Sequence, residues 1–290
     1  MLLYRTKNFV SAETLIGGTM AVGGLTANMA FVNSMQKDID EKRGDKSDKK
    51  YRDLLISAFK RKYGNNNFLE IENFGNASAV QLDNVDEVKE NLKQLSPEER
   101  KQLEELEKTD PYIHAILEII RKSNLDNPVI VADPTFNSAA VISHEVGHTE
   151  YQTDEENGRN KFIKLAHKYP AYFNEGGLLW GGLFGFIWGI AQQTKSATGE
   201  KATRYLKNGA YVMATVDAGM VLACELAASK RGIELLKKLG ANEEEIKKYK
   251  GTLMKAAGSY LSGSVMNVGF AMLGARSLQH SYKCRKRISK

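Results

Sequence analysis

Residues 129–151 read VIVADPTFNSAAVISHEVGHTEY, and this stretch decides how the rest of the chain is interpreted. It opens with Val129-Ile130-Val131, a short β-branched run that is typical of a strand. Asp133-Pro134 and Asn137-Ser138 are two candidate helix starts. Residues 139–151 then predict a helix with apolar side chains available for packing. The predicted order is therefore strand, turn and helix.

The predicted helix carries the sequence His144-Glu145-Val146-Gly147-His148. His144 and His148 are four residues apart, so both imidazoles project from one face and can reach one ion. Glu145 projects to the side, where it can act as a base on a zinc-bound water, whose pKa falls to about 7. The pattern therefore predicts a zinc site on a helix. The alternative is a pair of ordinary surface histidines.

Gly147 is an unusual residue for this position. Glycine costs about 1 kcal/mol relative to alanine in the interior of a helix. Close approach of another backbone, or of a ligand, to this face of the helix would explain it.

A third protein ligand is usual in a catalytic zinc site, with water in the fourth position. One candidate is Glu225, which follows the apolar residues 218–224, where an acid is costly unless it is paired or ligated. Two interpretations stay open: Glu225 binds the ion, or it lies at a core or membrane boundary and pairs with Lys230 or Arg231. The other candidates are the remaining histidines, His114, His167 and His280, and the nearby acids Glu155 and Glu156. Glu150 is also close in sequence, but it is expected to point away from the histidine face.

The chain has 290 residues, which is enough for one large domain or two small ones. Its net charge of +6 would suit nucleic acid or an anionic membrane surface. The basic residues form no zinc-finger or Arg-rich groove motif, so we expect no nucleic-acid partner. The two cysteines are too few for a disulfide framework.

Four stretches carry little or no charge: residues 14–32, 176–191, 208–224 and 256–275. A bilayer span needs about 20 mostly apolar residues. The first and last stretches reach that length, and all four are rich in small residues that let helices approach closely. We therefore expect membrane association. The alternative is a set of buried helices in a soluble protein.

A polar block separates the first two apolar stretches. Its charge-rich residues 37–52 are expected to be flexible. Ser96-Pro97 followed by Glu99 predicts a capped helix start. The further elements predicted in this block are helices over residues 51–63, 97–108 and 112–122 and strands over residues 68–71 and 79–82. The charged helix is interpreted as a solvated face or a surface for a partner protein.

Two motifs together resemble a known family. His144 to His148 are followed by Glu225-x-x-Ala228-Ser229-Lys230-Arg231, and this pair is similar to the motifs of the bacterial membrane-associated neutral zinc metallopeptidases. The CAAX prenyl proteases and the heat-shock membrane proteases are more distantly similar. The resemblance covers roughly residues 129–275 and the N-terminal apolar stretch.

The resemblance implies roles for individual residues. His144, His148 and Glu225 would bind one Zn²⁺ ion. Glu145 would be the general base, and Ser229 would orient a ligating histidine through a hydrogen bond. Residues 129–131 would form an edge strand that holds an extended peptide by strand addition.

We therefore expect a mainly α fold with a small β-sheet, built as a zincin-type catalytic core with several apolar helices. The expected segments are an N-terminal apolar helix (1–35), a charged insert (36–125) that can bind a protein partner, and the peptidase core (126–290). The expected function is that of a zinc-dependent endopeptidase acting on a peptide or protein substrate. The expected location is a membrane, crossed several times, or otherwise the cytoplasm. The alternatives are a non-catalytic assembly protein on the same scaffold and a pore-forming protein built on Gly-rich helices.

Overall fold

The computed structural model describes residues 12–42, 44–75, 77–80, 85–123, 127–153 and 197–288. The described chain is mainly helical and contains a three-stranded sheet, as predicted. It divides into two compact units. The sheet unit lies within Asn33–Lys168 and Cys224–Lys255, and the helical unit lies within Met1–Val32, Tyr169–Ala223 and Ala256–Lys290. The three segments expected from the sequence (1–35, 36–125 and 126–290) are each continuous in the chain, whereas each unit combines separate segments. The expected division into segments stays a prediction.

The described helices and strands are, in chain order, α1 (Ala12–Lys42), α2 (Lys46–Tyr63), β1 (Phe68–Glu70), β2 (Ala77–Val80), α3 (Val85–Gln94), α4 (Pro97–Thr109), α5 (Pro111–Lys122), β3 (Val129–Ala132), α6 (Ala139–Thr153), α7 (Ala197–Lys238) and α8 (Glu243–Ile288). The capping box predicted for α4 is present: the Glu99 amide donates to the Ser96 hydroxyl, and the Ser96 amide donates to the Glu99 carboxylate.

The prediction that residues 37–52 are flexible is wrong. Helix α1 continues to Lys42, and Asp45 caps α2 by accepting a hydrogen bond from the Ser47 amide. The reason is that α2 is amphipathic. One face of α2 is buried in the core, and its packing keeps the charged residues of the same helix ordered. The buried side chains of this face include Tyr51, Leu55, Phe59 and Tyr63.

The sheet has the order β1-β3-β2, with β1 parallel and β2 antiparallel to β3. Strand β3 is therefore central, and every one of its residues is buried. An uninterrupted apolar run is what a strand covered on both faces requires. The expectation that residues 129–131 form a substrate-binding edge is wrong, because both sides of β3 are already paired. The edge that lies near α6 is β2 instead.

The core of the sheet unit joins α2, the sheet, α6 and α7. Its fully buried side chains include Phe59, Ile130, Ile142 and Leu236. Burying each such side chain contributes about 1.5–3 kcal/mol relative to leaving it in water. This core holds α6 and the second half of α7 in fixed positions.

Small residues let α1 and α8 approach closely within the helical unit. A Cβ atom added to Gly24 would lie 2.7 Å from the carbonyl oxygen of Ser262. A Cβ atom added to Gly269 would lie 2.5 Å from the amide nitrogen of Ala21. The backbones of these two helices therefore touch at glycines, as small residues in apolar helices allow.

Among the described residues, a single helical stretch, Leu15–Lys42, is long and apolar enough to cross a membrane. Residues 208–224 and 256–275 lie in α7 and α8, and neither is identified as such a stretch among the described residues. Residues 176–191 lie outside the described residues. The described helices therefore do not support a chain that crosses the membrane several times.

A buried acid caps α6. Asp48 is 4% exposed, and its two carboxylate oxygens each lie 3.2 Å from the amide nitrogen of Ala139, which begins α6. Burial raises the pKa of the Asp48 carboxyl to about 6, although the Ala139 hydrogen bond and the charges of Lys42 and Arg52 oppose this change. Asp48 therefore positions the helix that carries the histidines.

The free energy of unfolding of the wild-type chain is expected to fall between pH 4 and pH 7 because Asp48 loses its proton. In the Asp48→Asn variant this fall should be absent. The folded chain binds the Asp48 proton more tightly than the unfolded chain does, with a pKa of about 6 against 3.8. This contribution to the free energy of unfolding is present at low pH and is lost as the pH rises through that window, by at most about 3 kcal/mol. Urea denaturation of both proteins at several pH values measures it.

The matched control for this experiment is Asp53→Asn, since Asp53 lies on the same helix and is exposed. The control is expected to follow the wild-type curve. A difference in stability between Asp48→Asn and wild type that stays constant from pH 4 to pH 7 would contradict the prediction.

Candidate metal centre

Helices α6 and α7 bring the predicted site residues together inside the sheet unit. His144 and His148 lie one turn apart on α6, and Glu225 and Ser229 lie one turn apart on α7. Residues four apart share a helix face, so the two pairs project toward each other.

The possible ligand atoms of three residues converge on one point. The Nε2 atom of His144 lies 3.0 Å from Oε2 of Glu225, and Nε2 of His148 lies 3.4 Å from the same oxygen. The two Nε2 atoms are 3.1 Å apart. This is the one group of three or more possible ligands found among the described residues.

These separations fit a zinc ion. Zinc bonds of about 2.0–2.1 Å in tetrahedral geometry separate two ligand atoms by about 3.3 Å. The distances here, 3.0 to 3.4 Å, bracket that value. Two histidines and a glutamate are also a donor set found in catalytic zinc sites, which leave a fourth position for water. The residues present therefore fit the ion that the sequence motif predicts.

Opposite charge and hydrogen bonding stabilise the ionised form of Glu225. Burial alone would raise the pKa of its carboxyl, but the charge of His148 and the contacts with both imidazoles outweigh burial and lower it. Burial likewise opposes protonation of His148, and the neighbouring Glu225 carboxylate reverses that effect and raises the pKa of His148. An ionised carboxylate is the form that binds a metal ion.

Glu145 lies beside this cluster on α6 and is 6% exposed. Burial raises the pKa of its carboxyl above the ordinary value. Its Oε2 atom accepts a hydrogen bond of 2.7 Å from the Ala79 amide of β2. The Glu145 carboxyl group is thus buried and held by a backbone donor of the sheet.

Comparison with protein families identifies the group to which this site belongs. A model described as "Putative neutral zinc metallopeptidase" matches residues 123–273, more than half of the 290-residue chain. The chain belongs to this family. The matched residues contain both α6 and the Glu225 motif, so the family predicted from these motifs is confirmed. No curated protein and no solved structure matches the chain.

Membership of the neutral zinc metallopeptidases implies zinc as the cofactor of this chain. The three histidines outside the motif lie elsewhere in the chain or outside the described residues. His114 lies on α5 and contacts Glu107, with 3.6 Å between Nδ1 and Oε1. His280 lies on α8, and His167 lies outside the described residues.

Arg231 pairs with acids other than Glu225. Its guanidinium donates to the carboxylates of Glu150 on α6 and Glu234 on α7. The alternative in which Glu225 was a boundary acid paired with Arg231 does not match this arrangement. Instead, the Arg231–Glu150 pair links α6 and α7 beside the cluster of possible ligands.

Two glycines set the separation of α6 and α7. A Cβ atom added to Gly147 would lie 2.3 Å from the carbonyl oxygen of Ala228, and one added to Gly232 would lie 2.7 Å from that of Ser143. The close approach of another backbone, which the sequence offered as one reason for Gly147, is therefore what the structure shows. The short separation lets Glu225 reach both histidines.

Replacing Gly147 by Ala is expected to lower the free energy of unfolding by about 2 kcal/mol or more. The added methyl group overlaps the Ala228 carbonyl, and overpacking of this kind typically costs about 1–3 kcal/mol. The matched control is Gly251→Ala on α8, where no atom lies within 4 Å of the added Cβ. The control is expected to stabilise the chain by about 0.5–1 kcal/mol through helix propensity. Chemical denaturation measures both changes, and equal stability of the two variants would contradict this account.

Sequence reasoning missed three features of the site. Gly232 could have been found, because it lies seven residues after Glu225 and completes a stripe of small residues with Ala228. The capping role of Asp48 depends on a contact with a residue 91 positions away. The Ala79 donor is a backbone group, so no side-chain pattern marks it.

Proposed function

We propose that this chain is a zinc-dependent endopeptidase that holds one Zn²⁺ ion on His144, His148 and Glu225. The observation that carries the proposal is the convergence of three possible ligand atoms, 3.0 to 3.4 Å apart, beside a buried glutamate. A structural zinc site is closed by four protein ligands, whereas a catalytic site uses three.

Glu145 is the proposed general base. A zinc ion bound at this site would supply Lewis acidity, polarising a peptide carbonyl and lowering the pKa of water. The Oε2 atom of Glu145 is engaged by the Ala79 amide, so we assign proton transfer to Oε1. That oxygen takes a proton from the attacking water and returns it to the nitrogen of the leaving amine.

Ser229 is the proposed orienting residue for His144. Its hydroxyl oxygen lies 3.0 Å from Nδ1 of His144. A partner on one ring nitrogen fixes the tautomer and the ring orientation, so that the other nitrogen is presented to the metal. The Nε2 atom of His144 is accordingly the one that faces Glu225.

Helix α1 is the proposed membrane contact. Several large apolar side chains of α1 are exposed, namely Leu15, Ile16, Val22, Leu25 and Met29. The stretch they belong to is long enough to span a bilayer. Substitution of two exposed α1 residues by Lys should move the chain from the membrane fraction to the soluble fraction.

Residues 36–125 remain the proposed surface for a protein partner.

Removal of the metal tests the proposed activity. The purified chain, supplied with zinc, is expected to contain about one zinc per chain by elemental analysis and to cleave members of a peptide library. Dialysis against a chelator should abolish cleavage, and added zinc should restore it, since the ion supplies the polarisation of the carbonyl.

Two outcomes would contradict the proposal in different ways. A chain that stays free of zinc after supplementation has no metal centre at these residues. A chain that holds zinc but cleaves no peptide would be a non-catalytic assembly protein on a peptidase scaffold.

A further inference from the structure

One backbone amide of the edge strand β2 points at the proposed base. The Ala79 amide donates a hydrogen bond of 2.7 Å to Oε2 of Glu145. Glu145 is 6% exposed, so little water competes for this contact. Hydrogen bonds to charged acceptors are roughly twice as strong as those between neutral groups, and burial strengthens them further. The amide therefore fixes the position of one carboxylate oxygen.

The register of β2 explains why this amide is available to Glu145. Strand β2 runs antiparallel to β3, and Ala79 lies opposite Ile130. Alternate residues of an antiparallel strand direct their amides toward and away from the neighbouring strand. Since the Ala79 amide is directed to Glu145, Ser78 and Val80 make the bonds to β3, and Ala77 is oriented like Ala79.

A carboxylate on a glutamate side chain has several rotamers, separated by rotations about three bonds. A general base must lie within hydrogen-bond reach of the proton that it takes. A single fixed oxygen removes most of this freedom, because the second oxygen can then occupy few positions. The donor that achieves this here belongs to the sheet, which is anchored in the core by β3.

We propose that the backbone amide of Ala79 is a positioning group for Glu145, which holds Oε2 so that Oε1 is presented for proton transfer. This inference rests on the proposed function, in which Glu145 is the general base. It assigns no role to the Ala79 side chain. A small residue that has an amide hydrogen should serve in its place, because the Ala79 side chain packs against the core.

Ala79→Pro tests the proposal, because proline removes the amide hydrogen. Proline is tolerated on an edge strand when its nitrogen faces away from the ladder. We expect kcat to fall about 10- to 100-fold, the loss expected for one hydrogen bond to a charged group. KM and the zinc content should not change, since the proposal assigns this amide to Glu145 and to neither substrate nor metal.

Two matched variants serve as controls. Ala79→Gly keeps the amide hydrogen and adds no volume beside the core against which Ala79 packs, and its kcat is expected to exceed that of Ala79→Pro at least about 10-fold. Ala77→Pro changes the same strand at its first residue and is expected to keep the wild-type kcat. If Ala79→Pro loses zinc or does not fold, replacing residue 79 by its α-hydroxy acid decides the question, because an ester oxygen then takes the place of the N–H alone.

Each outcome separates the possible explanations. A raised KM with an unchanged kcat would show that this amide binds substrate and would overturn the proposal. Equal losses of kcat in Ala77→Pro and Ala79→Pro would assign the effect to a distorted strand and would also overturn it. If the wild-type chain cleaves peptides and Ala79→Pro is fully active, this inference alone is wrong. If the wild-type chain holds zinc and cleaves nothing, the proposed function fails together with it.

Discussion

Replacing Glu145 by Gln is expected to lower the kcat of peptide hydrolysis at least 100-fold, while the chain keeps its zinc. The two side chains have nearly the same shape, and the amide oxygen of Gln can still accept the hydrogen bond from Ala79. A primary amide cannot take a proton from water at neutral pH. Removal of a general base typically costs about 10²- to 10⁴-fold in rate.

The experiment compares kcat, zinc content and melting temperature in the same preparations. The matched control is Glu104→Gln, which makes the same chemical change at an exposed position on α4. The control is expected to be indistinguishable from wild type in all three measurements. An active Glu145→Gln variant with bound zinc would assign the base to another group.

Replacing Glu225 by Ala is expected to lower the affinity for zinc by more than about 100-fold, and peptidase activity should be lost with the metal. Removing a group that only orients a ligand costs about 10- to 100-fold in metal affinity, and a direct ligand contributes more. The carboxylate oxygen of Glu225 lies within 3.4 Å of both Nε2 atoms, so its removal leaves a pair of histidines alone.

Elemental analysis after dialysis against a weak chelator measures the zinc retained by this variant. The matched control is Glu243→Ala, an exposed acid in the first turn of α8. The control should retain about one zinc per chain. Zinc retained at the wild-type level by Glu225→Ala would mean that a residue other than Glu225 is the third ligand.

The two substitutions separate binding from catalysis. Glu145→Gln is expected to stop turnover in a chain that is loaded with metal, whereas Glu225→Ala is expected to prevent loading. Both residues are buried or nearly so, and they approach the same cluster from different helices. If the Glu145→Gln variant and the Glu225→Ala variant both lost zinc, the result would indicate a general disturbance of α6 and α7 and not two distinct roles.

Local patterns in the sequence were sufficient for most of the secondary structure near the site. The β-branched run at residues 129–131 became β3, and the HEVGH segment became part of α6. The capping box at Ser96 predicted the start of α4 correctly, and the helix predicted over residues 112–122 became α5. Each of these features depends on residues within a few positions of one another, so the sequence contains all the information needed.

The incorrect expectations concern long-range packing. The apolar run of β3 showed that the strand is buried, but only its pairing with β1 and β2 made it central. Residues 37–52 were expected to be flexible because they are highly charged, yet α2 buries an aromatic face there. A chain crossing the membrane several times was expected from the absence of charge, whereas hydropathy supports one described helix.

The sequence by itself determined that His144 and His148 share one helix face with Glu145 beside them, because helical periodicity is a local property. It left Glu225 open between a ligand and an acid paired with Lys230 or Arg231. The tertiary structure decided its position, since Gly147 and Gly232 let the backbones of α6 and α7 approach closely enough for the carboxylate to reach both imidazoles. It also decided which backbone amide meets Glu145. Neighbours of this kind come from packing between segments that are far apart in the chain, and such packing has no local signature.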